Sequence, residues 1–207
     1  MFFKQLRATI RQAKKNDPSA PSKLTIFLTY PGIHALMWHR VAHFFYRIKF
    51  TGLARFISNL GRFFTNIDIH PGAKIGEGLF IDHGAGVVIG QTAVIGKNVV
   101  IFHNVTLGSN SVESSGKRHP TIEDNVIIYA NSTIFGDITI GKNSVVGGSS
   151  VIKQSVAPNS VVVGNPMRII SVDGKRIYDT KTECEALKDE LATLKEKIKE
   201  LENRLSE

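Results

Sequence analysis

Aliphatic residues recur every six positions through the middle of this chain. They run Ile69, Ile75, Ile81, then Ile89, Ile95, Ile101, Leu107, then Ile122, Ile128, Ile134, Ile140, Val146 and Ile152. Four residues after each stands a small or aliphatic residue: Ala73, Leu79, Ala85, Ala93, Val99, Val105, Ser111, Val126, Ser132, Ile138, Ser144, Ser150 and Val156. Neither the helical period nor strand alternation produces this spacing. A six-residue unit suits a short flat strand followed by a tight corner. Three units close a triangular coil, and stacked coils put the aliphatic side chains in an internal ladder. The pattern is that of a parallel β-helix built from hexapeptide repeats, about four to five coils long.

Two breaks interrupt the register. Eight residues separate Ile81 from Ile89, and fifteen separate Leu107 from Ile122. The second break holds a polar stretch, Ser109–Pro120, which reads as a loop thrown out from the coil. Loops that interrupt a rigid scaffold often carry function.

The repeat divides the chain into an α-helical region (1–65), a β-helix (66–172) and a C-terminal coiled coil (181–207). Helical candidates in the first region are Phe2–Lys15, the stretch HALMWHRVAHFFYRI (His34–Ile48) and Leu53–Phe64, with breaks at Asp17-Pro18 and Tyr30-Pro31-Gly32. At the other end, Cys184, Leu187, Leu191, Leu194, Ile198, Leu201 and Leu205 alternate spacings of three and four, the seam of a heptad repeat. Flanking pairs Glu183/Lys188, Glu190/Lys195 and Lys197/Glu202 are opposite in sign, which favours a parallel homo-oligomer.

The net charge of +8 is unevenly spread. Residues 1–65 carry eleven Lys/Arg against a single acid, Asp17. A basic region can attract nucleic acid or anionic lipid, but scattered charge on a helical bundle reads more simply as a solvated face, so neither partner is expected. One cysteine excludes an intramolecular disulfide and a cysteine-based zinc site. The N-terminal stretch has no apolar core of a secretory leader, and Leu24–Trp38 is too short and interrupted to span a bilayer. A cytoplasmic protein is expected.

Polar residues cluster where a plain scaffold needs none: Asp68-Ile69-His70-Pro71, Asp82-His83 and Arg118-His119-Pro120. Asp68 and His83 are fifteen residues apart, close to one coil, so they are expected to stack near one edge. A carboxylate beside an imidazole is the minimal arrangement for a general base. His34, His39 and His43 recur at helical spacing and read as surface or contact residues rather than a metal stripe. Trp38 and Phe44-Phe45-Tyr46 read as helix packing.

These motifs resemble the serine O-acetyltransferase family. The likeness is carried by HALMWHRVAHFFY, DIHPGAKIG (Asp68–Gly76), IDHGAGVVIG (Ile81–Gly90), VTLG (Val105–Gly108), GKRHPTI (Gly116–Ile122) and GNP (Gly164–Pro166). The resemblance implies a left-handed winding of the β-helix. It implies transfer of acetyl from acetyl-CoA to the L-serine hydroxyl, the first step from serine toward cysteine, with no metal and no permanently bound cofactor. By position it implies His83 as general base, oriented by Asp68. Asp17, Asp82, Arg118 and His119 would bind the amino acid, and Gly108 and Ser109 would lie near acetyl-CoA in a groove between adjacent β-helices. A homotrimer or dimer of trimers and feedback inhibition by cysteine are further implications.

The sequence departs from the family pattern in three places. Gly108-Ser109-Asn110-Ser111-Val112 replaces a glycine-rich run, Gln91 stands where a glutamate is usual, and the chain ends in a polar coiled coil rather than a terminal Ile. The first two leave open a hexapeptide acyltransferase for another hydroxyl or amine acceptor. An inactive trimeric scaffold and a zinc hydratase built on His70, His83, His103 and His119 are the remaining alternatives.

Overall fold

The computed structural model describes residues 2–20, 22–111, 116–177, 188 and 190–199. Helices α1 (Phe2–Asn16), α2 (Lys23–Thr29), α3 (Pro31–Arg47) and α4 (Thr51–Thr65) precede a three-faced parallel β-helix. Its first face stacks β1 (Ile67–Ile69), β4 (Val87–Ile89), β7 (Thr106–Gly108), β10 (Thr133–Phe135) and β13 (Val151–Ile152). The second stacks β2 (Lys74–Ile75), β5 (Val94–Ile95), β8 (Thr121–Ile122) and β11 (Thr139–Ile140). The third stacks β3 (Phe80–Ile81), β6 (Val100–Ile101), β9 (Ile127–Ile128), β12 (Val145–Val146) and β14 (Ser160–Val163). Pairing is parallel throughout these faces. Only at the end does the chain turn back, with β15 (Arg168–Val172) pairing antiparallel with β14 and β16 (Lys175–Arg176) with β15.

The six-residue period therefore has a simple origin. Two or three residues extend along a face and the remainder turn a corner. Each aliphatic residue of the ladder packs inward against the coils above and below. Full burial of such a side chain contributes about 1.5–3 kcal/mol. The corner residues Ala73, Leu79, Ala93, Val99, Val105, Val126, Ser132, Ser144, Ser150 and Val156 are also buried. Three expected corner residues are not, and one of them, Ile138, is half-buried against the core. Ala85 and Ser111 are exposed, and both lie where the register breaks. At the first break Gly84 fills the buried corner instead.

The second–third corner carries a ladder that a glycine-centred reading of the sequence misses. Asn98, Asn125, Asn143 and Asn159 at this corner, and Asp173 in the β15–β16 turn beyond it, all take left-handed backbone conformations, φ 48–60°. Asn tolerates this region better than most residues. Their side chains bond one to the next, at 3.4, 3.1, 2.9 and 2.8 Å. Each amide donates to the next side-chain oxygen along the ladder, which ends on the Asp173 carboxylate.

The helices seat on the first coil. Ser58 Oγ donates to the Ile69 carbonyl (2.7 Å), and Trp38 stacks on Phe64. Helix α2 is not among the three helical candidates of the sequence. Of the three histidines of α3, His34 and His43 are half-buried, with His34 Nε2 2.8 Å from the Phe27 carbonyl and His43 Nδ1 2.7 Å from that of Pro71. His39 is buried, and among the described residues its Nδ1 has no hydrogen-bond partner. Burial, then the nearby His43, Arg40 and His70, pushes its pKa down to about 3.

That burial makes stability depend on pH. In the unfolded chain the His39 imidazole takes a proton near pH 6.5, whereas the folded chain refuses it down to about pH 3. Its contribution is complete above 6.5 and is lost as pH falls below that value, by about 1.4 kcal/mol per pH unit. The melting temperature of the His39→Phe variant is expected to fall less between pH 6.5 and 5 than that of the native chain. Thermal denaturation across that range measures the difference.

Candidate active site

The predicted site residues fall into two groups, on opposite edges of the first face. The corner between the third and first faces holds Asp82, His83 and, one coil on, His103. The eight-residue break lies here. His83 sits in the bulge with φ 49° and its side chain is 82% exposed. Its Nε2 lies 3.9 Å from Asp82 Oδ1. Partial burial pushes the Asp82 carboxyl up, His83 pulls it down, and Asp17 adds a smaller upward push.

Asp17 reaches this corner from the α1–α2 connection. Its Oδ1 accepts from Ser19 N–H (2.8 Å) and Ser19 Oγ (2.6 Å), and its Oδ2 accepts from the Tyr30 hydroxyl. These bonds, with a smaller pull from His83, hold the carboxyl below its usual range. The same Tyr30–Asp17 bond, then burial, pushes the Tyr30 phenol up to about 12. The seating of α3 on the coil places Tyr30. Gly32 lies against the Ile81 backbone so closely that a Cβ there would meet the Ile81 carbonyl oxygen at 2.4 Å. A bare α-carbon lets α3 lie on β3, one residue before Asp82.

The second group lines a cleft of about 280 Å³ at the first–second corner, formed by Arg55, Asp68, His70, Val88, Ile89, Gly90, Gln91, Arg118 and His119. Asp68 points out from β1, with Arg62 Nη1 at 3.3 Å. Among the described residues no hydrogen bond or ion pair within 4.0 Å joins Asp68 to His83. The expected stacking of the two at one edge is therefore not formed inside a single chain. His83 begins the corner that enters the first face, whereas Asp68 opens toward the corner that leaves it.

Arg118 and His119 are fixed by Thr92, a residue that no sequence motif singles out. Thr92 Oγ1 accepts from the N–H groups of Arg118 (2.9 Å) and His119 (3.1 Å). The Thr92 N–H donates to His119 Nδ1 (3.3 Å), and its hydroxyl lies 2.9 Å from the same nitrogen. Nδ1 is thus an acceptor, and the neutral ring carries its proton on Nε2. A Cβ at residue 90 would sit 1.9 Å from the His119 ring, so glycine there makes room for it. Burial, then Arg118 and Lys117, lowers the His119 pKa and keeps the ring neutral. Lys117 braces the segment through Asp137 (3.0 Å) and the His119 carbonyl.

Two more residues line this cleft: His70, read from the sequence only within a polar cluster and as a zinc-ligand alternative, and Gln91, read only as a departure bearing on the acceptor. His70 Nδ1 accepts from Gly72 N–H (2.9 Å), which leaves its proton on Nε2. Burial, then Arg55, His119 and Arg118, pushes its pKa down to about 4. Its place in the Asp68–Pro71 motif is the signal that could have found it. Gln91 bridges Tyr46 Oη (3.1 Å) and Arg118 Nη2 (3.2 Å). A neutral amide in that position orients Arg118 without cancelling its charge.

Gly108 ends β7 opposite Phe135. Ser109 turns its hydroxyl into the loop, donating to the Ser111 carbonyl (2.8 Å) and accepting from its N–H (3.1 Å). Residues 112–115 of the loop lie outside the described residues. Among those described, no group of three or more His, Cys, Asp or Glu side chains is placed to hold a metal ion.

Chemically, one edge presents an exposed imidazole beside carboxylates, and the other presents a guanidinium with neutral imidazoles. The Thr92 hydroxyl is what stiffens the second. Removing it strands two N–H groups in a partly buried corner, a cost of about 1–3 kcal/mol. Thr92→Val is expected to raise amide hydrogen exchange at Arg118 and His119 while leaving exchange in β8 and β11 unchanged.

Comparison with known proteins decides what this arrangement belongs to. The bacterial transferase hexapeptide model (six repeats) matches residues 119–154. A serine acetyltransferase of Bacillus pumilus is 44% identical over 95% of this chain and 98% of the relative. That of Bacillus subtilis is 44% identical over 100% and 96%. The chain belongs to the serine acetyltransferase family. Solved structures agree. A Neisseria gonorrhoeae serine acetyltransferase in complex with serine superposes with a TM-score of 0.78 at 39% identity, over 82% of this chain and 69% of that one. A serine acetyltransferase from Brucella abortus in complex with coenzyme A gives 0.80 at 38%, over 84% and 69%. The parallel β-helix with its helical N-terminal region is thus the fold of the serine acetyltransferases.

Proposed function

We propose that this chain transfers acetyl from acetyl-CoA to the hydroxyl of L-serine, giving O-acetyl-L-serine and CoA on the route to cysteine. The observation that carries the reading is the His83 imidazole, pushed out of a rigid corner beside Asp82 and Asp17. No structural need explains it. His83 takes the proton as serine Oγ bonds to the thioester carbon. The carbon–sulfur bond then breaks, and the imidazolium returns that proton to the CoA thiolate. Asp17 and Asp82 are suited to the serine ammonium. Arg118 and the His119 Nε2–H are suited to its carboxylate, a natural partner of a guanidinium.

These groups lie on two edges of one face, so one chain holds only half of each constellation. A cyclic homotrimer closes the gap, because a head-to-tail ring sets one edge of each copy against the opposite edge of the next. In that arrangement Asp68 of one copy orients His83 of its neighbour. Acetyl-CoA occupies the groove between the two β-helices, near Gly108 and Ser109. L-Cysteine shares the ammonium and carboxylate of serine and is expected to compete for the same groups. The compartment we assign is the cytoplasm: no helix among the described residues is long and apolar enough to cross a membrane, and the lone cysteine suits a reducing environment.

The test is a panel of amino-acid and sugar acceptors incubated with acetyl-CoA, followed by thiol release, with and without cysteine. Turnover with L-serine, inhibited by cysteine, is the expected result. Turnover only with another acceptor overturns the substrate assignment.

A further inference from the structure

The C-terminal segment exposes an apolar stripe that neither the fold nor the active site uses. Residues 190–199 are helical, and Leu191, Leu194 and Ile198 are 53, 50 and 56% exposed along it. Their spacings of three and four place them on one side of the helix. Cys184, Leu187, Leu201 and Leu205 continue the alternation in the sequence, outside the described residues.

We infer that this stripe is a clamp: a parallel coiled coil with the same segment of the other copies in the ring, which holds the two halves of each active site together. The occupant is a further copy of this chain, because the charges beside the stripe complement those of an identical segment laid parallel to it. Glu190 and Lys195 flank the seam with opposite signs, and Glu183/Lys188 and Lys197/Glu202 repeat the match in sequence. Such pairs across a seam form between copies running in the same direction and in register. A ring already sets its copies parallel, the direction that the seam requires.

The inference rests on the shared-site reading and adds a consequence to it. Half-sites on separate chains are useful only while the chains stay together. A coil tethers them at an effective concentration on the order of millimolar. Activity then survives dilution to levels at which an untethered ring comes apart.

Two measurements on the full chain test this. Cys184 is the only cysteine, and in the sequence it continues the three–four spacing of the stripe. Mild oxidation is expected to give disulfide-linked dimers of the native chain, approaching about two-thirds of the chains in a trimer, and none of the Leu194→Asp variant. Specific activity with L-serine is expected to change less than about twofold between about 1 µM and about 1 nM for the native chain and to fall roughly tenfold or more for Leu194→Asp. Absence of the dimer, a dimer that survives Leu194→Asp, or identical dilution curves each overturn the clamp. A native chain that cross-links but never acetylates serine overturns the active-site reading and leaves the coil standing.

Discussion

His83→Ala is expected to cut turnover of L-serine by ~10²–10⁴-fold, the usual contribution of a positioned general base. The side chain is 82% exposed and stands outside the core, so the loss should come without unfolding. Alanine is mildly strained in a left-handed conformation, whereas asparagine occupies it readily. His83→Asn is therefore the cleaner partner variant. It should melt like the native chain and be as inactive as alanine. Proton transfer and backbone geometry are separated by that pair. Native-like turnover in either variant removes the base from the mechanism. Thermal melts and sedimentation establish that the loss is chemical.

Much of this is legible in the sequence because the solenoid repeats locally. A six-residue ladder needs only neighbouring coils to agree, and the inward side chains from Ile69 to Ile152 follow it. The breaks are legible too, since any insertion into a rigid period must leave the core. Carrying the period across those breaks puts Ala85 and Ser111 in the core, where the structure does not have them. The first break is instead the bulge that presents His83. The features hidden from the sequence depend on contacts made at long range. Thr92 holds Arg118 from 26 residues away, and Tyr30 holds Asp17 from 13. Neither residue type announces such a role. The asparagine ladder escapes a reading of corners through glycine, although asparagine suits the same left-handed turn. The seven-residue α2 is too short for its periodicity to stand out. Asp68 and His83 do not meet within one chain for a different reason. Sequence distance sets them one coil apart, but a face has two edges, and the two residues serve opposite ones.

That division across edges gives the second large effect. Arg118→Ala is expected to raise KM for L-serine by roughly 10²-fold or more, because the substrate carboxylate loses a charged partner in a confined site. Alone, either variant is nearly inactive at serine concentrations near the native KM. Mixed, unfolded together and refolded, they should recover. A junction with both residues intact forms when an Arg118→Ala copy, which keeps His83, supplies that edge, and a His83→Ala copy, which keeps Arg118, supplies the other. Random assembly of equal amounts makes about a quarter of the junctions complete. Recovered activity should approach that fraction of the native value, with native KM at the complete sites. If instead each chain carried its own site, every site would keep one lesion, and mixing would restore nothing. Substitution of Leu194 by Asp in both chains should then make the recovered activity fall on dilution, tying the rescue to assembly rather than to refolding of either variant.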